Sequence, residues 1–322
     1  MRENTVLSRL GISWDVIGRI ADGILPRKAS RILAMIKSAR DEFMKLERVL
    51  VSELEAEVRK NALLLMSFRA AQAINVLFRN LYERSADIGF LSQDADIRAF
   101  VMGGGAGDQR SLVRRRLSEY TQKYSVYRDV VVFSPDGRIL ARLDDTEPGP
   151  LSVEPFLSRA LHSDTYVEAF GQFDFLSGAR NLVYAQAIVD EAGRAVGILA
   201  LVFRFENEME GIFRDLGAVG MTYICLSDAS GRILAASDEE FLVPGRSIPL
   251  VHEPEGRIVA FMGRKFFLVS HRGEAYQSYH GPDWYGHAMI PMEYMDEADA
   301  IDVQSATQGN VLAYIDALCP SL

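Results

Sequence analysis

The chain has 322 residues, 48% of them apolar and 25% charged, an ordinary balance that excludes disorder as the general state. Its 35 basic and 44 acidic side chains give a net charge of −9, unevenly spread: residues 1–90 carry 15 Lys/Arg and 11 Asp/Glu, a net +4, which leaves −13 on the remainder. That acidic body excludes nucleic acid as the main partner, and two cysteines, Cys225 and Cys319, are too few for a disulfide framework or a Cys-based zinc site.

The N-terminus, MRENTVLSRLGISWDVIG, lacks the apolar core of a signal peptide. The longest apolar runs are Ala62–Met66 and Val196–Phe203, the second broken by Gly197. Both fall short of the ~20 residues of a membrane span, so the chain reads as soluble and cytoplasmic, with no span. Residues 1–90 read as helical. Pro26 separates a leading helix, about 4–24, from a long one over Lys28–Tyr82, a stretch without Pro or Gly. Ile36, Ala39, Phe43, Leu46 and Leu50 recur at 3-4-3-4 spacing, and Leu54, Val58, Ala62 and Leu65 then shift the seam as a stutter does. Two readings stand: the helix packs on its own body, or its first half pairs with a second subunit as a homodimer. At 1.5 Å per residue it would run roughly 80 Å.

Asp94–Phe100 reads as a short helix and Arg110–Tyr124 as another, separated by a glycine-rich loop at Gly103–Gly107 that no Gly-Lys-Ser/Thr follows, which excludes a P-loop. An internal repeat then organises the chain. Val131–Ala141 reads VVFSPDGRILA and Cys225–Ala235 reads CLSDASGRILA, at an offset of 94 residues. Each is a β-rich run, a Gly turn at Gly137 or Gly231, and an identical Arg-Ile-Leu-Ala strand. Val196–Phe203 and Tyr285–Met292 close the two copies with an apolar strand that opens on Gly. The sequence therefore divides into a helical region (1–90), a first module (91–205), a linking helix (206–220, read from Phe205), a second module (221–297) and a C-terminal helix (298–322), an α+β chain with a duplicated unit.

In the first module Tyr166, Glu168 and Phe170 share one strand face and Leu182, Tyr184 and Gln186 another, with small apolar residues opposite. The small face suits packing against a helix; the large mixed face is either open to solvent or the wall of a pocket. The segments YRDVVVFSPDGRILARLDD, EPFLSRALHSDTYVEAFGQFD, NLVYAQAIVDEAGRAVGILALVFRFE and GPDWYGHAMIPMEYM resemble the double Cache family of bacterial ligand sensors. That resemblance implies a long N-terminal helix packed along two tandem PAS-like antiparallel sheets of about five strands, with a ligand pocket in the first. It implies a place in chemotaxis or other signal transduction, and a signalling partner. Typical members carry a membrane anchor and an output domain, neither of which is read in this sequence. Many amino-acid sensors carry Arg-x-Trp-Tyr-x-x-Ala; with Ala160 on the Ala, Glu154, Phe156 and Leu157 stand where Arg, Trp and Tyr would, so an acid replaces the carboxylate clamp.

The chemistry expected is binding rather than catalysis. No Ser/His/Asp pattern, nucleotide loop or paired-carboxylate motif is present, so no catalytic residues are assigned. His280 and His287 form the only dense histidine spot and lack a third metal ligand; no metal, haem or flavin is expected, and Trp284 and Tyr285 read as core anchors. The candidate ligand site is Glu154, Tyr166, Glu168, Phe170, Asp174, Arg180, Tyr184 and Gln186, closed by the 170–181 loop. Its acidic excess points to an amine or amino-acid-like ligand, with cation–π contact from the aromatics. The alternative is a structural or interaction protein with degenerate modules, whose helical N-terminus dimerises or docks a partner.

Overall fold

A computed structural model describes residues 30–105, 107–122, 126–143, 151–176, 180–217 and 222–294. The leading helix at 4–24, the C-terminal helix and Cys319 lie outside these.

The long helix α1 covers Ser30–Ser92, 63 residues, roughly 95 Å at 1.5 Å per residue. It runs past the expected end at Tyr82 and through Gly89, because burial of Ile88 and Leu91 in the core outweighs the ~0.5–1 kcal/mol that a helical glycine costs. The stop comes at Asp94, whose carboxylate accepts from the Asp96 and Ile97 N–H groups and caps α2 (Ala95–Met102). Helix α3 follows at Gly107–Thr121. Among the described residues one helix, within Lys37–Ser92, is long and apolar enough by composition to cross a membrane, and 33% of its most apolar window is buried. The sequence reading, which counted unbroken apolar runs, did not single this helix out, because scattered polar residues interrupt the runs without lowering the average of a long helix. The core helix of a folded protein passes the same test.

The first sheet is built from β1 (Tyr127–Phe133), β2 (Ile139–Arg142), β3 (Val167–Gly171), β4 (Asn181–Val189) and β5 (Ala195–Phe203), in the order β2-β1-β5-β4-β3. Helix α4 (Pro155–Leu161) precedes β3, and α5 (Phe205–Asp215) follows β5. The second sheet holds β6 (Tyr223–Asp228), β7 (Ile233–Ala236), β8 (Arg257–Phe261), β9 (Arg264–Arg272) and β10 (Trp284–Pro291), in the order β7-β6-β10-β9-β8. The two orders are the same permutation, so the Arg-Ile-Leu-Ala strands take equivalent edge places, as the repeat predicts. The turns match position for position. Gly137 and Gly231 have φ +89° and +79°, and a Cβ on either would lie 2.3 Å from a carbonyl oxygen, of Ser152 or Ile248. In each turn a side chain one residue past the same point, Ser134 or Asp228, accepts from the N–H of Arg138 or Arg232. Only glycine supplies that backbone without strain.

By its contacts the chain forms two units: Arg69–His252 with Ser270–Ala288, and the described parts of Met1–Phe68, Glu253–Val269 and Met289–Leu322. In the larger unit the first sheet is covered on both faces, and period 2 sorts its residues. Val130, Val132, Leu182, Tyr184, Leu199 and Leu201 join a core with Ile74, Leu77, Phe78 and Leu81 of α1 and with Phe100 and Leu117 of α2 and α3. Val131, Phe133, Val183, Ala185, Ile198 and Ala200 join a second core with Phe156, Leu157 and Ala160 of α4 and with Phe173 and Phe175. The small face thus packs on a helix as expected; the large mixed face lies under α1. In the smaller unit, α1 exposes Leu46 by 61%, Leu50 by 54% and Leu54 by 49%, and Phe43 is half-buried. At these positions the seam read from the sequence stands exposed among the described residues.

Candidate functional site

Where the first sheet meets α1, strand alternation carries polar groups into an apolar core. Tyr184 of β4 is fully buried. Its hydroxyl lies 3.3 Å from the Leu81 carbonyl oxygen and 3.2 Å from the Tyr279 hydroxyl. Tyr279 donates to Oε1 of Glu168 at 2.6 Å. Tyr166 lies against Tyr184 with ring centroids 4.8 Å apart. Burial pushes the Glu168 carboxyl above its ordinary range, opposed by the tyrosine hydroxyls. Burial and the nearby Glu168 charge push Tyr166 up to about 12, and Tyr184 and Tyr279 upward too. Phe170 completes the row, packed edge-on to Phe205 at 4.9 Å and Trp284 at 5.1 Å.

Beside this cluster, and sharing Leu81 with it, a cleft of about 330 Å³ opens among α1, the sheet and the start of α5. Its apolar lining is Leu77, Leu81, Val126, Leu182, Phe203 and Phe205; its polar lining is Asn80, Glu83, Arg84 and Glu208. Asn80 Nδ2 donates to Glu208 Oε1 at 2.5 Å, which fixes the carboxylate across the mouth. Arg84 donates to Asp87 at 3.3 Å. Asp87 is 8% exposed and also accepts from the Tyr120 hydroxyl at 2.5 Å and from that of Tyr127. One carboxylate therefore ties α1 to α3 and β1 and holds the guanidinium in place. A cleft of this size, apolar below and polar at the rim, suits a ligand the size of an amino acid.

The second sheet has a polar inlay of its own. His287 of β10 is fully buried, with Nε2 2.7 Å from Ser227 Oγ and Nδ1 2.9 Å from Ser270 Oγ. A neutral imidazole donates through one nitrogen and accepts at the other, and two hydroxyls meet both needs. Burial pushes its pKa down to about 3. Ser227 is fully buried as well, so the pair is closed off from solvent. His280 is exposed while His287 is inside, and among the described residues no group of three metal-ligating side chains converges.

No family model matches the sequence, and no curated protein does. Solved structures do. The ligand-binding domain of the Pseudomonas fluorescens chemoreceptor CtaA, in complex with L-serine, is similar with a TM-score of 0.54 and 16% identity, covering 73% of this chain and 99% of that one. That of the Campylobacter jejuni chemoreceptor Tlp3, in complex with 4-methylisoleucine, has a TM-score of 0.55 and 14% identity, covering 75% and 94%. The sensor domain of the V. cholerae histidine kinase DctB has a TM-score of 0.52 and 11% identity, covering 76% and 98%. The chain has the double Cache fold.

In this fold the residues read as one site are divided between the two faces of the first sheet. Tyr166, Glu168, Tyr184 and Phe170 come together under α1, with Gln186 half-buried on the same face of β4. Glu154 and Asp174 lie with α4 on the other side of the sheet. Asp174 accepts from the Ser152 hydroxyl at 2.6 Å and the Val153 N–H at 2.9 Å, while its own N–H donates to Glu154 at 2.7 Å. These two acids brace a loop. Arg180 points elsewhere again, donating to the Ile233 carbonyl at 3.3 Å. Strand parity separates the two sides, and it is the placement of the loops that sends Asp174 and Arg180 away. Residues 177–179 of the closing loop lie outside the described residues; Phe173 and Phe175 turn inward and pack with Phe156.

The sequence reading missed Asn80, Glu83, Arg84, Asp87, Glu208 and Tyr279. Glu83-Arg84 with Asp87 looks like the solvated face of a helix, and only the spacing of Arg84 and Asp87, three residues apart, hinted at a paired charge.

Proposed function

We propose that this chain is the signal-input domain of a sensor protein and takes a small amine-bearing or amino-acid-like ligand into the first module, at the cleft between α1 and α5. The observation that supports this is the composition of the cleft. Glu83 and Glu208 offer acceptors to an ammonium group, Arg84 offers a donor to a carboxylate, and Leu77, Leu182 and Phe203 offer an apolar seat. The fold is one in which CtaA and Tlp3 hold L-serine and 4-methylisoleucine. Occupancy of the cleft would press α1 against the sheet, and a 63-residue helix carries such a displacement along its length. No covalent chemistry is required of the domain.

The test is calorimetric titration with a panel of amines, amino acids and organic acids. An amine-bearing ligand is expected to bind, and Glu208→Gln to weaken it by about 1.5–3 kcal/mol, the worth of a hydrogen bond to a charged group. Loss of binding in Asp174→Ala with Glu208→Gln unaffected would move the site to the opposite face of the sheet.

A second reading, a structural or interaction protein that dimerises through its helical N-terminus, is supported by the exposure of Leu46, Leu50 and Leu54. A second copy presenting the same seam covers these side chains in a helix pair. Light scattering of the wild-type chain is then expected to report a dimer, and Leu46→Glu with Leu50→Glu a monomer. A monomer in the wild type at high concentration removes this reading.

A further inference from the structure

We infer that the cleft between α1 and α5 selects a monoamine that carries no carboxylate of its own, and that Glu208 sets this specificity. Such selectivity rests on the cleft being the ligand site, and it narrows the two ligand classes proposed for it to one.

Charge is balanced around the cleft except at Glu208. Arg79 Nε lies 3.4 Å from Glu83 Oε1, and Arg84 Nη2 lies 3.7 Å from Glu83 Oε2. Arg84 Nη1 donates to Asp87 Oδ2 at 3.3 Å. The Tyr120 and Tyr127 hydroxyls brace Asp87 in turn. Two guanidiniums therefore face two carboxylates, and Arg84 is held between both acids. Glu208 is the third carboxylate. Among the described residues its side-chain partner is the neutral Asn80 amide, and no cation pairs with it. Arg204, one turn earlier, donates instead to the Tyr127 carbonyl at 3.1 Å. Two positive and three negative groups leave one negative charge, and it sits on Glu208.

Glu208 lies in the first turn of α5, where a helix N-terminus favours an acid for its own sake. That preference is met equally well by a side chain in open solvent. Here the side chain is half-buried and tied to α1 by Asn80, at the edge of the apolar seat of Leu77, Leu182, Phe203 and Phe205. Asn80 gives an amide hydrogen to Glu208 and keeps its carbonyl oxygen, an acceptor. This end of the cleft thus presents acceptors and one unbalanced negative charge. An ammonium group brings three donors and the matching charge. A carboxylate brings neither, and the guanidinium in the lining already faces two acids. An amino acid must therefore desolvate its carboxylate without a full partner, and that cost counts against it. A body of one aromatic ring or a short alkyl chain suits the cleft's 330 Å³.

The experiment is calorimetric titration of the full chain with probes matched in body and differing in head group: phenethylamine, phenylalanine and hydrocinnamate, then pentylamine and cadaverine. Phenethylamine is expected to bind at least about tenfold more tightly than phenylalanine, with no binding of hydrocinnamate and no gain of cadaverine over pentylamine. Glu208→Gln keeps the size and the Asn80 contact but not the charge, and should weaken phenethylamine about ten- to a hundredfold, the equivalent of one hydrogen bond to a charged group. Phenylalanine binding as tightly as phenethylamine, with both weakened by Glu208→Gln, overturns the selectivity and leaves the cleft as the ligand site. Cadaverine binding more tightly than pentylamine overturns the count of one free charge in the same way. Binding indifferent to Glu208→Gln, or no binding of any probe, overturns the selectivity and the cleft together.

Discussion

Gly286→Ala is expected to destabilise the chain by about 3 kcal/mol, at the upper end of what overpacking costs. The added Cβ would lie 2.0 Å from the Ala70 carbonyl oxygen and 3.3 Å from Ile74 Cγ2. The first of these is helix backbone and has no rotamer to escape into. Helix α1 and strand β10 touch here with nothing between them, and relief means lifting one off the other. Gly281 and Gly273 sit in the same seam, each leaving room for the Phe78 ring. The control is Gly211→Ala in α5, where the new methyl meets nothing within 4 Å and the backbone is helical. It should stabilise by about 0.5–1 kcal/mol through the unfolded state. Urea unfolding followed by circular dichroism measures both, and a Gly286→Ala midpoint at the wild-type value would show that α1 does not seat on β10 in this way.

His287 is expected to make the fold acid-sensitive well above the carboxylate range. Its folded pKa is pushed from 6.5 down to about 3 by burial. Above pH 6.5 the imidazole is neutral in both states and contributes no slope. As pH falls below 6.5 the unfolded chain takes up a proton that the folded chain refuses, so stability is lost until about pH 3. Integrated over that window, the loss is about 4–5 kcal/mol. His287→Gln keeps a donor and an acceptor for Ser227 and Ser270 but cannot titrate, so its stability should fall less over the same range. Surface carboxylates titrate alike in both proteins, and the difference between the two curves isolates His287. Parallel curves from pH 7 to 4 would contradict a buried neutral histidine. Glu168 acts in the opposite sense: its raised pKa favours the folded state as pH drops from above its folded value toward 4.5, so Glu168→Gln is expected to steepen net acid loss.

Much of the fold was legible because it depends on local chemistry. The repeated Gly-Arg-Ile-Leu-Ala marks two turns whose glycines alone accept a positive φ beside a carbonyl, and identical turns led to identical strand orders. Alternation in β3 and β4 separated Tyr166, Glu168 and Phe170 from Val167 and Ala169 correctly. What alternation does not say is what lies opposite a face. The Tyr/Glu/Phe face reads equally as a pocket wall or a solvated surface, and it proved to be closed by Leu77, Phe78 and Leu81 of a helix some 90 residues earlier in the chain.

The candidate site was less legible for a physical reason. Glu154, Asp174 and Arg180 were grouped by nearness in sequence to β3 and β4, but loop side chains follow the loop's own hydrogen bonds, and these turned Asp174 to Ser152 and Arg180 to Ile233. Arg84 and Glu208 are 124 positions apart and carry no motif. Only the packing of α1 and α5 against the same sheet brings them to one cleft. Composition, periodicity and turn chemistry determined, by themselves, that this chain is a long helix followed by two copies of one α+β module, because each rests on contacts within a few residues. The tertiary structure alone decided which face is buried, which acids are structural and where Glu168 finds its partners, because burial and pairing of charge depend on elements that meet only when the chain is folded.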